Sequence, residues 1–319
     1  MTRFDVFNGD ADGLCALHQL RLVAPCDSVL VSGPKRDTGL LARVDATAGD
    51  EVTVLDVSMA TNRAALDRLL GRGVLVRYYD HHYAGHVPAH PGLVAHVDPS
   101  PDVCTSILVD RTLGGAHRPW AVVAAFGDNL GAAATALAAR CTLAAADVDR
   151  LRALGESLNY NGYGDDVADL IVHPIELYRT MSRHAHPLSF IESTPVLATL
   201  AGHRRDDLAR AMQAAPFAVL DGATVHVLPD AAWSRRVRGE FANALANRSP
   251  ALAHAVVTPN RRGHYTVSLR TPVPGADRFC RAFASGGGRA VAAGIDDLPA
   301  DALDDFVACL ASAFPAPSA

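Results

Sequence analysis

The sequence predicts an α/β protein with two domains: an N-terminal domain built on a mostly parallel sheet, and a smaller C-terminal α+β domain. Three observations support this prediction. Short apolar runs alternate with helical patterns over the first 80 residues, which is typical of parallel sheets. Residues 120–155 are rich in Ala and Leu and mostly helical in pattern, and the pattern stays helical from about 165 to 214. A β-rich segment then begins near Pro216.

In the N-terminal domain, the predicted strands are short runs of β-branched and aromatic residues at Phe4–Phe7, Val29–Val31, Val52–Leu55 and Val74–Tyr79. The predicted helices between them are Leu14–Leu22 and Asn62–Leu70. The helical region beyond is interrupted at Gly127–Asn129, and Pro174, Pro187 and Pro195 mark further breaks.

In the C-terminal domain, the predicted strands are Phe217–Leu220, Thr224–Leu228, Ala253–Val257 and Tyr265–Leu269, with a helix over 231–247. We therefore expect a first domain at 1–180, a helical linker at 181–215 and a second domain at 216–319.

The composition is typical of a globular protein that does not enter membranes. Of the 319 residues, 49% are hydrophobic and the mean hydropathy is +0.11. No apolar stretch approaches the roughly 20 residues that a membrane helix needs, and the N-terminus lacks the pattern of a secretory leader. We expect a cytoplasmic protein. The six cysteines are scattered and form no C-x-x-C motif, which argues against a disulfide framework or a zinc cage.

The charge distribution bears on the binding partner. A net charge of −5 argues against a protein that coats long nucleic acid. Within 203–289, however, 13 arginines face 6 acidic residues. This excess favours a phosphate-binding patch, because the guanidinium fork matches phosphate oxygens, but an ordinary solvated face would look the same. Lys35 is the only lysine, so a general codon preference also explains the arginines.

Four acidic signatures are the most informative feature: Asp10-Ala-Asp12, Asp56, Asp80-His81-His82 and Asp128. The first three each follow an apolar run. Ligands bind at the carboxyl ends of the strands in open α/β sheets, so these side chains are expected to converge. Singly, the first two have ordinary explanations as an Asp-rich turn and a helix N-cap. Two histidines behind an Asp at a buried strand end are costly without partners.

Two other interpretations of the first signature fail. A calcium-binding EF-hand loop that starts at Asp10 would place Leu14 at position five and Arg21 at position twelve, where oxygen ligands are needed. A dinucleotide-binding turn needs G-x-G-x-x-G, which the segment lacks.

In order, N-G-D-A-D-G at 8–13, V-L-D at 54–56, Y-D-H-H at 79–82 and F-G-D-N at 126–129 resemble the DHH phosphoesterase superfamily. Its members include pyrophosphatases, single-strand exonucleases, nano-RNases and cyclic-dinucleotide phosphodiesterases. The segment 97–106 resembles the family's Ser/Thr-rich stretch. Residues 265–270 and 285–294 are similar to the associated substrate-binding domain, with its G-G-G-H-x-x-A-A-G signature.

The resemblance implies a site in the interdomain cleft with two metals, usually Mn²⁺, with Mg²⁺ as the alternative. Asp56 would bridge the metals and Asp10 would bind one of them. The other would be bound by Asp12, His81 and Asp128. Oxygen ligands with one imidazole suit such metals, and two metals can clamp the attacking and leaving oxygens.

The substrate would be bound by His82 beside the phosphate, by Arg270 and by the glycines Gly286, Gly287 and Gly288, whose backbone N–H groups can approach a phosphate. The glycines alone would equally fit a flexible turn. His82, Arg270 and Arg289 would neutralise the charge that develops during hydrolysis.

The sequence departs from the family pattern at two positions. Asn8 stands where a metal-binding His is usual, and a neutral amide is a poorer ligand for a transition metal. We therefore expect the first metal to bind weakly, to be Mg²⁺ or to be absent. Arg289 replaces the His of the glycine signature, and it cannot accept a hydrogen bond as a neutral imidazole does.

These features predict a metal-dependent phosphodiesterase for short oligonucleotides or small nucleotides. Two alternatives stay open: a phosphatase for a nucleoside bisphosphate, and a non-catalytic nucleotide-binding protein on a retained fold. A site that had lost its catalytic function would be expected to lose some of its carboxylates, because unpaired buried carboxylates cost stability. The sequence keeps Asp10, Asp12, Asp56 and Asp128, which favours hydrolysis. No membrane partner is expected, and both a monomer and a homodimer are compatible with the sequence.

Overall fold

The computed structural model describes residues 1–315. The chain divides into two compact units, Met1–Gly202 and a second unit that begins at His203. This division falls inside the predicted linker 181–215. Phe190 and Leu200 are buried in the core of the first unit, so the linker segment up to Gly202 is part of that unit.

The first unit is built on a five-stranded parallel sheet in the order β2-β1-β3-β4-β5. Its strands are β1 (Arg3–Asn8), β2 (Val29–Gly33), β3 (Glu51–Leu55), β4 (Leu75–Asp80) and β5 (Leu93–Val97). The predicted α/β fold with a parallel sheet is confirmed. The strand β5 was not expected from the sequence.

The helices of this part of the chain are α1 (Ala11–Val23), α2 (Arg63–Gly71), α3 (Thr105–Thr112), α4 (Arg118–Gly127), α5 (Gly131–Ala138), α6 (Ala145–Gly162), α7 (Pro174–Met181), α8 (Pro187–Ser193) and α9 (Val196–Met212). Short 3₁₀ turns lie at Leu40–Arg43 and Val167–Asp169. Pro174 and Pro187 open α7 and α8, where the fixed φ of proline suits the first helical position. The predicted breaks are thus helix starts.

Both faces of the parallel sheet are covered, because successive strand residues point to opposite faces. Phe7, Leu55 and Tyr79 contribute to a core that includes residues of α1, α3, α4 and α6. Val6, Val54 and Tyr78 contribute to a second core with residues of α2. The sheet is therefore packed on both faces, and the ends of its strands lie outside the two cores.

The second unit contains a six-stranded mixed sheet in the order β10-β11-β9-β8-β7-β6. Its strands are β6 (Ala218–Val219), β7 (Ala223–Val227), β8 (Ala253–Pro259), β9 (Tyr265–Arg270), β10 (Gly286–Arg289) and β11 (Ala292–Leu298). Its helices are α10 (Ala232–Arg248), α11 (Ala276–Arg281) and α12 (Leu303–Ala313), with a 3₁₀ turn at Ala300–Ala302. The predicted smaller α+β domain is confirmed.

The glycine signature forms a strand, which differs from the turn that three glycines would suggest. Gly286 to Arg289 pair antiparallel with β11. A Cβ atom on Gly286 would lie 1.6 Å from the carbonyl oxygen of Cys280, and Gly288 has φ +137°, so both positions require glycine. Around Gly287 a Cβ would meet no heavy atom within 4 Å in the described part of the chain.

Among residues 1–315, no helix is long and apolar enough to cross a membrane.

Candidate metal centre

The acidic signatures of the first unit converge at one edge of the parallel sheet. Asp10 follows β1, Asp56 follows β3 and His81 follows β4, and these three strands are neighbours in the sheet. Asp128 is the residue that ends α4. The carboxyl ends of parallel strands meet at the same edge, which is why side chains distant in sequence lie together here.

A tight strand-to-helix turn positions Asp10 and Asp12. Asp10 is the N-cap of α1, and its Oδ1 accepts hydrogen bonds from the backbone N–H of Asp12 at 3.0 Å and of Gly13 at 3.1 Å. A Cβ on Gly13 would lie 2.2 Å from the carbonyl oxygen of Asn8, so glycine allows the helix to start against the strand. The turn fixes the carboxylate of Asp10 at the start of the helix.

The first turn of α3 holds the carboxylate of Asp12. The N–H of Thr105 donates to Oδ2 and the N–H of Ser106 donates to Oδ1, both at 2.7 Å. A helix N-terminus is a favourable partner for a negative charge. Burial and then the charge of Asp128 raise the pKa of Asp12, and His81 opposes them. The Asp12 oxygens retain further lone pairs for a cation.

Asp56 lies in an unusual backbone conformation at the end of β3. Its φ is +57°, a region that costs a non-glycine residue strain and is concentrated at functional sites. The N–H of Asp56 donates to the carbonyl of Tyr79 at 3.0 Å, which holds this conformation in place. Burial, followed by the charges of Asp12 and Asp10, raises the pKa of Asp56 well above its usual value.

His81 faces the carboxylates through one ring nitrogen. Its Nδ1 lies 3.0 Å from the carbonyl oxygen of Val103, so Nδ1–H is the donor there. Its Nε2 lies 3.3 Å from Asp56 Oδ1 and 3.6 Å from Asp128 Oδ2. Burial lowers the pKa of His81, but the hydrogen bond to Asp56 and the surrounding carboxylates outweigh it and raise the pKa to about 10.

His82 is oriented by the first residue of its own motif. Its Nδ1 lies 2.7 Å from Asp80 Oδ1, and the other Asp80 oxygen accepts from the backbone N–H of Met59 at 3.2 Å. Asp80 is fully buried, whereas the His82 side chain is 43% exposed. The carboxylate of Asp80 therefore presents His82 to solvent in a fixed orientation. The sequence contained Asp80 within the motif, but its positioning role is visible only in the structure.

Two overlapping groups of side chains could hold a metal ion. One is Asp12, His81 and Asp128, and the other is Asp56, His81 and His82, each with ligand atoms within 4.8 Å of one another. Carboxylate oxygens with imidazole suit Mn²⁺ or Mg²⁺, and so dense a set of buried carboxylates repels itself without cations. The residues fit a divalent metal at this position. Their individual metal-binding roles stay predictions.

Asp10 is placed differently from the other predicted ligands. Among residues 1–315, neither group of potential metal ligands includes it. Its Oδ2 instead accepts from the ammonium of Lys35 at 2.5 Å. Burial would raise the pKa of Asp10, but the charge and hydrogen bond of Lys35 lower it overall. Within the described residues, the buried Oδ1 of Asn8 has no hydrogen-bond partner.

Lys35 is the main site residue that the sequence analysis did not identify. Its Nζ also donates to Asp128 Oδ1 at 3.0 Å and to Asn159 Oδ1 at 3.4 Å. Burial lowers the pKa of Lys35, but the charges of Asp10 and Asp128 raise it well above the ordinary value. The available signal was that this chain of 29 basic residues contains one lysine.

The predicted substrate-binding residues lie together within the second unit. The register pairs Ala292 with Arg270 on one side and with Arg289 on the other, so the two arginines occupy one row across β9, β11 and β10. Residues at matched positions of neighbouring strands share a face of the sheet. Arg270 Nε donates to Asn243 Oδ1 at 2.6 Å. Substrate contact by these arginines and by Gly286–Gly288 stays a prediction.

No model of a known protein family matches the chain, and no curated protein matches it. Solved structures do. A manganese-bound exonuclease RecJ superposes with a TM-score of 0.62 at 20% identity, covering 98% of this chain and 91% of that one. RecJ from Thermus thermophilus in complex with Mn²⁺ gives 0.60 at 20% identity, covering 99% of this chain and 53% of RecJ. This chain therefore spans about half of that protein.

The pGpG-specific phosphodiesterase PggH from Vibrio cholerae gives a TM-score of 0.54 at 14% identity, covering 98% of each chain. RecJ and PggH belong to the DHH superfamily. At these identities the likeness shows a shared fold. The fold that the sequence resemblance implied is thereby confirmed.

Proposed function

We propose that this protein, whose fold is that of the DHH phosphoesterases, is a metal-dependent phosphoesterase that hydrolyses phosphodiester bonds in short oligonucleotides or related small nucleotides. The observation that carries the proposal is the convergence of Asp12, Asp56, His81 and Asp128 at one sheet edge. Burial, followed by the charges of neighbouring carboxylates, raises the pKa of Asp12 and of Asp56, and groups with such shifts are more frequent at functional sites than elsewhere.

The four converging side chains would hold the metal, and His82 would contact the substrate phosphate. A bound divalent metal would polarise a phosphoryl oxygen and lower the pKa of water. His82 Nδ1–H donates to Asp80, which leaves Nε2 as the atom available to the substrate. The helix N-terminus at Thr105 keeps Asp12 in position as the charge distribution changes during the reaction.

Mn²⁺ is the metal we propose, with Mg²⁺ as the alternative. The donor set of oxygens and imidazole suits both ions, and the similar RecJ structures contain manganese or magnesium.

A short substrate is supported by the charge of the chain. The net charge of −5 disfavours binding to long nucleic acid, while the row formed by Arg270 and Arg289 offers guanidinium groups for a small number of phosphates. PggH is a pGpG-specific phosphodiesterase, and a dinucleotide is the substrate that we propose for this chain.

The test is hydrolysis by the purified full chain of a labelled dinucleotide and, separately, of a nucleoside 3′,5′-bisphosphate, first with Mn²⁺ and then with Mg²⁺. We expect cleavage of the dinucleotide that EDTA abolishes. The Asp56→Ala variant, which lacks the central carboxylate, serves as the inactive control. Cleavage of the bisphosphate alone would establish the phosphatase alternative. Nucleotide binding without hydrolysis of either compound would overturn the enzymatic proposal in favour of a binding protein.

A further inference from the structure

We propose that the ammonium group of Lys35 replaces one of the two metal ions, so that the centre binds a single divalent metal next to a cation built into the chain. The inference rests on the proposed function in that the remaining metal serves a phosphoesterase. The first observation that supports the inference is the position of the Lys35 ammonium. Lys35 Nζ lies 2.5 Å from Asp10 Oδ2 and 3.0 Å from Asp128 Oδ1, two carboxylates that the family resemblance assigns to different metals.

The ammonium group is fully coordinated in this position. A lysine ammonium has three N–H donors, and Lys35 has three oxygen acceptors, on Asp10, Asp128 and Asn159. The backbone N–H of Lys35 donates to the carbonyl of Gly162 at 2.8 Å, and Nζ lies 5.9 Å from the centre of the Tyr163 ring. These contacts anchor the residue at both ends.

A metal at the same place would have to share its nearest carboxylate, that of Asp10, with the ammonium. Asp10 Oδ1 already accepts two backbone N–H groups, and its Oδ2 accepts from Lys35. Asn8, which stands in the usual position of a metal-binding His, offers only a neutral amide oxygen. A divalent ion close to Asp10 would also lie within a few ångströms of the ammonium, and the two cations would repel each other strongly in this buried setting.

Lys35 supplies part of the positive charge that the four carboxylates of the centre need. Asp10, Asp12, Asp56 and Asp128 supply four negative charges. With Lys35 charged and His81 neutral as a ligand, one divalent ion leaves the group at −1, whereas two would make it +1. A lysine suits this role better than an arginine, because its ammonium is a compact point charge and the guanidinium is a planar fork. That distinction explains why this position holds a lysine in a chain that otherwise uses arginine.

The ligands of the other metal remain available beside Lys35. Within the described residues, the hydrogen bonds of Nζ go to Asp10, Asp128 and Asn159 and leave Asp12, Asp56 and His81 to a metal. Asp128 meets the ammonium through Oδ1, while its Oδ2 faces His81 at 3.6 Å, so it is shared between the ammonium and the metal position. This arrangement keeps one complete metal site, whereas the sequence resemblance implies two Mn²⁺ ions per site.

The experiment measures metal content and spectroscopic state, independently of hydrolysis. The full chain is loaded with Mn²⁺, freed of excess metal, and analysed by elemental analysis and by electron paramagnetic resonance. We expect one Mn²⁺ per chain with the six-line spectrum of an isolated ion. Two Mn²⁺ per chain with a spin-coupled spectrum would overturn the inference. One Mn²⁺ in a protein that cleaves neither nucleotide would support it while defeating the proposed function.

A double variant provides the converse test. Asn8→His with Lys35→Ala restores the imidazole and removes the ammonium, and we expect it to bind two Mn²⁺ and to show the spin-coupled spectrum. Retention of a single isolated Mn²⁺ in a folded double variant would count against Lys35 as the replacement. Arg63→Ala, which removes a cation from an exposed ion pair with Asp67, is the matched control and keeps one Mn²⁺. The result for the wild-type chain decides the question even where the double variant does not fold.

Discussion

The two adjacent histidines of the first unit differ because different groups hold them. The Nδ1–H of His81 is held by a neutral backbone carbonyl, that of Val103, and its Nε2 turns inward to the carboxylates. His82 is held by the carboxylate of Asp80 and stays exposed. A hydrogen-bonding partner of this kind fixes both the tautomer and the orientation of an imidazole. The two neighbouring histidines therefore differ in orientation and exposure, which suits His81 to its predicted role as a metal ligand and His82 to its predicted role beside the substrate.

Removing the negative charge of Asp80 should impair catalysis without removing the metal. For Asp80→Asn we expect kcat to fall by about 10- to 100-fold, the usual effect of losing such a positioning group, with the Mn²⁺ content unchanged. Steady-state kinetics and elemental analysis measure the two quantities. Asp98→Asn, which alters a carboxylate that caps Ser100 and pairs with Arg111, is the control. An unchanged kcat in Asp80→Asn would show that His82 needs no such support.

His18 should make the stability of the first unit depend on pH. It is buried beside Trp120, and its Nε2 lies 2.8 Å from the carbonyl of His184. Burial lowers the pKa of His18 from 6.5 to about 4, although this hydrogen bond opposes the shift. The unfolded chain therefore takes up a proton between these values that the folded chain does not. The stabilisation is present above pH 6.5 and is lost as the pH falls towards 4.

Urea unfolding at two pH values tests whether the stability of the protein falls with falling pH because of His18. At about 1.4 kcal/mol per pH unit, the free energy of unfolding should drop by about 2 kcal/mol more between pH 7 and pH 5 in the wild type than in His18→Gln. The comparison between the two proteins cancels the titration of the buried carboxylates, which they share. Equal drops in both would show that His18 accepts a proton in the folded state.

At the scale of elements, the metal centre depends on a close contact between α6 and the turn that opens α1. A Cβ on Gly162 would lie 2.8 Å from Asp10 Cβ and 3.0 Å from its Cα. We expect Gly162→Ala to lower the free energy of unfolding by about 1–3 kcal/mol, as overpacking does, and to weaken Mn²⁺ binding. Equilibrium unfolding and metal titration measure these effects.

Gly131→Ala is the matched substitution at the start of α5. A Cβ there would meet no heavy atom within 4 Å among the described residues, so we expect no loss and a gain of up to about 1 kcal/mol from the better helix propensity of alanine. Similar behaviour of the two variants would mean that the turn adapts to α6 and that the contact is unimportant.

The elements that sequence patterns predicted well are those whose own residues determine their conformation. The runs that became β1, β3 and β4 are rich in β-branched and aromatic residues and lie in the interior of the sheet. Both β10, which is mostly glycine, and β11, which lacks regular alternation, are ordered by pairing with neighbours. The edge strand β5 has four apolar residues out of five, but it is only partly buried and pairs on one side alone. The composition of a short segment does not show which other strand it will pair with, so strands of this kind are not predicted from their own residues.

At the scale of the whole molecule, the two units should contribute to different kinetic parameters. We expect Arg270→Ala to raise KM by about 10- to 100-fold, since hydrogen bonds to charged groups contribute about 1.5–3 kcal/mol, with the Mn²⁺ content unchanged. Steady-state kinetics on the dinucleotide measure this. Arg281→Ala removes an exposed arginine that pairs with Asp277 in the same unit and should leave KM as it is. A KM for Arg270→Ala equal to that of the wild type would remove Arg270 from substrate binding.

The sequence alone predicted both domains and the side chains that meet at the sheet edge, because the acids directly follow recognisable strands. It did not predict Lys35, which follows β2, a strand whose end carries no acidic signature. Nor did it show that Asn159 on α6 reaches the same ammonium. Both depend on how distant elements pack, and a single lysine among many arginines has no local pattern that identifies its partners.

Because Lys35 is the one lysine of the sequence, a probe of lysine side chains observes the candidate centre alone. Growth on ¹⁵N-labelled lysine would give this chain one labelled side-chain nitrogen, located between Asp10 and Asp128. Its nuclear magnetic resonance signal would report on the centre without overlap from any other side chain, and a nearby paramagnetic ion would broaden it. Amine-reactive dyes and crosslinkers would likewise have one side-chain target in the protein. The carboxylates around Lys35 raise the pKa of its ammonium and keep it protonated, so conventional coupling through lysine should be slow in the folded protein and faster once the centre is disrupted.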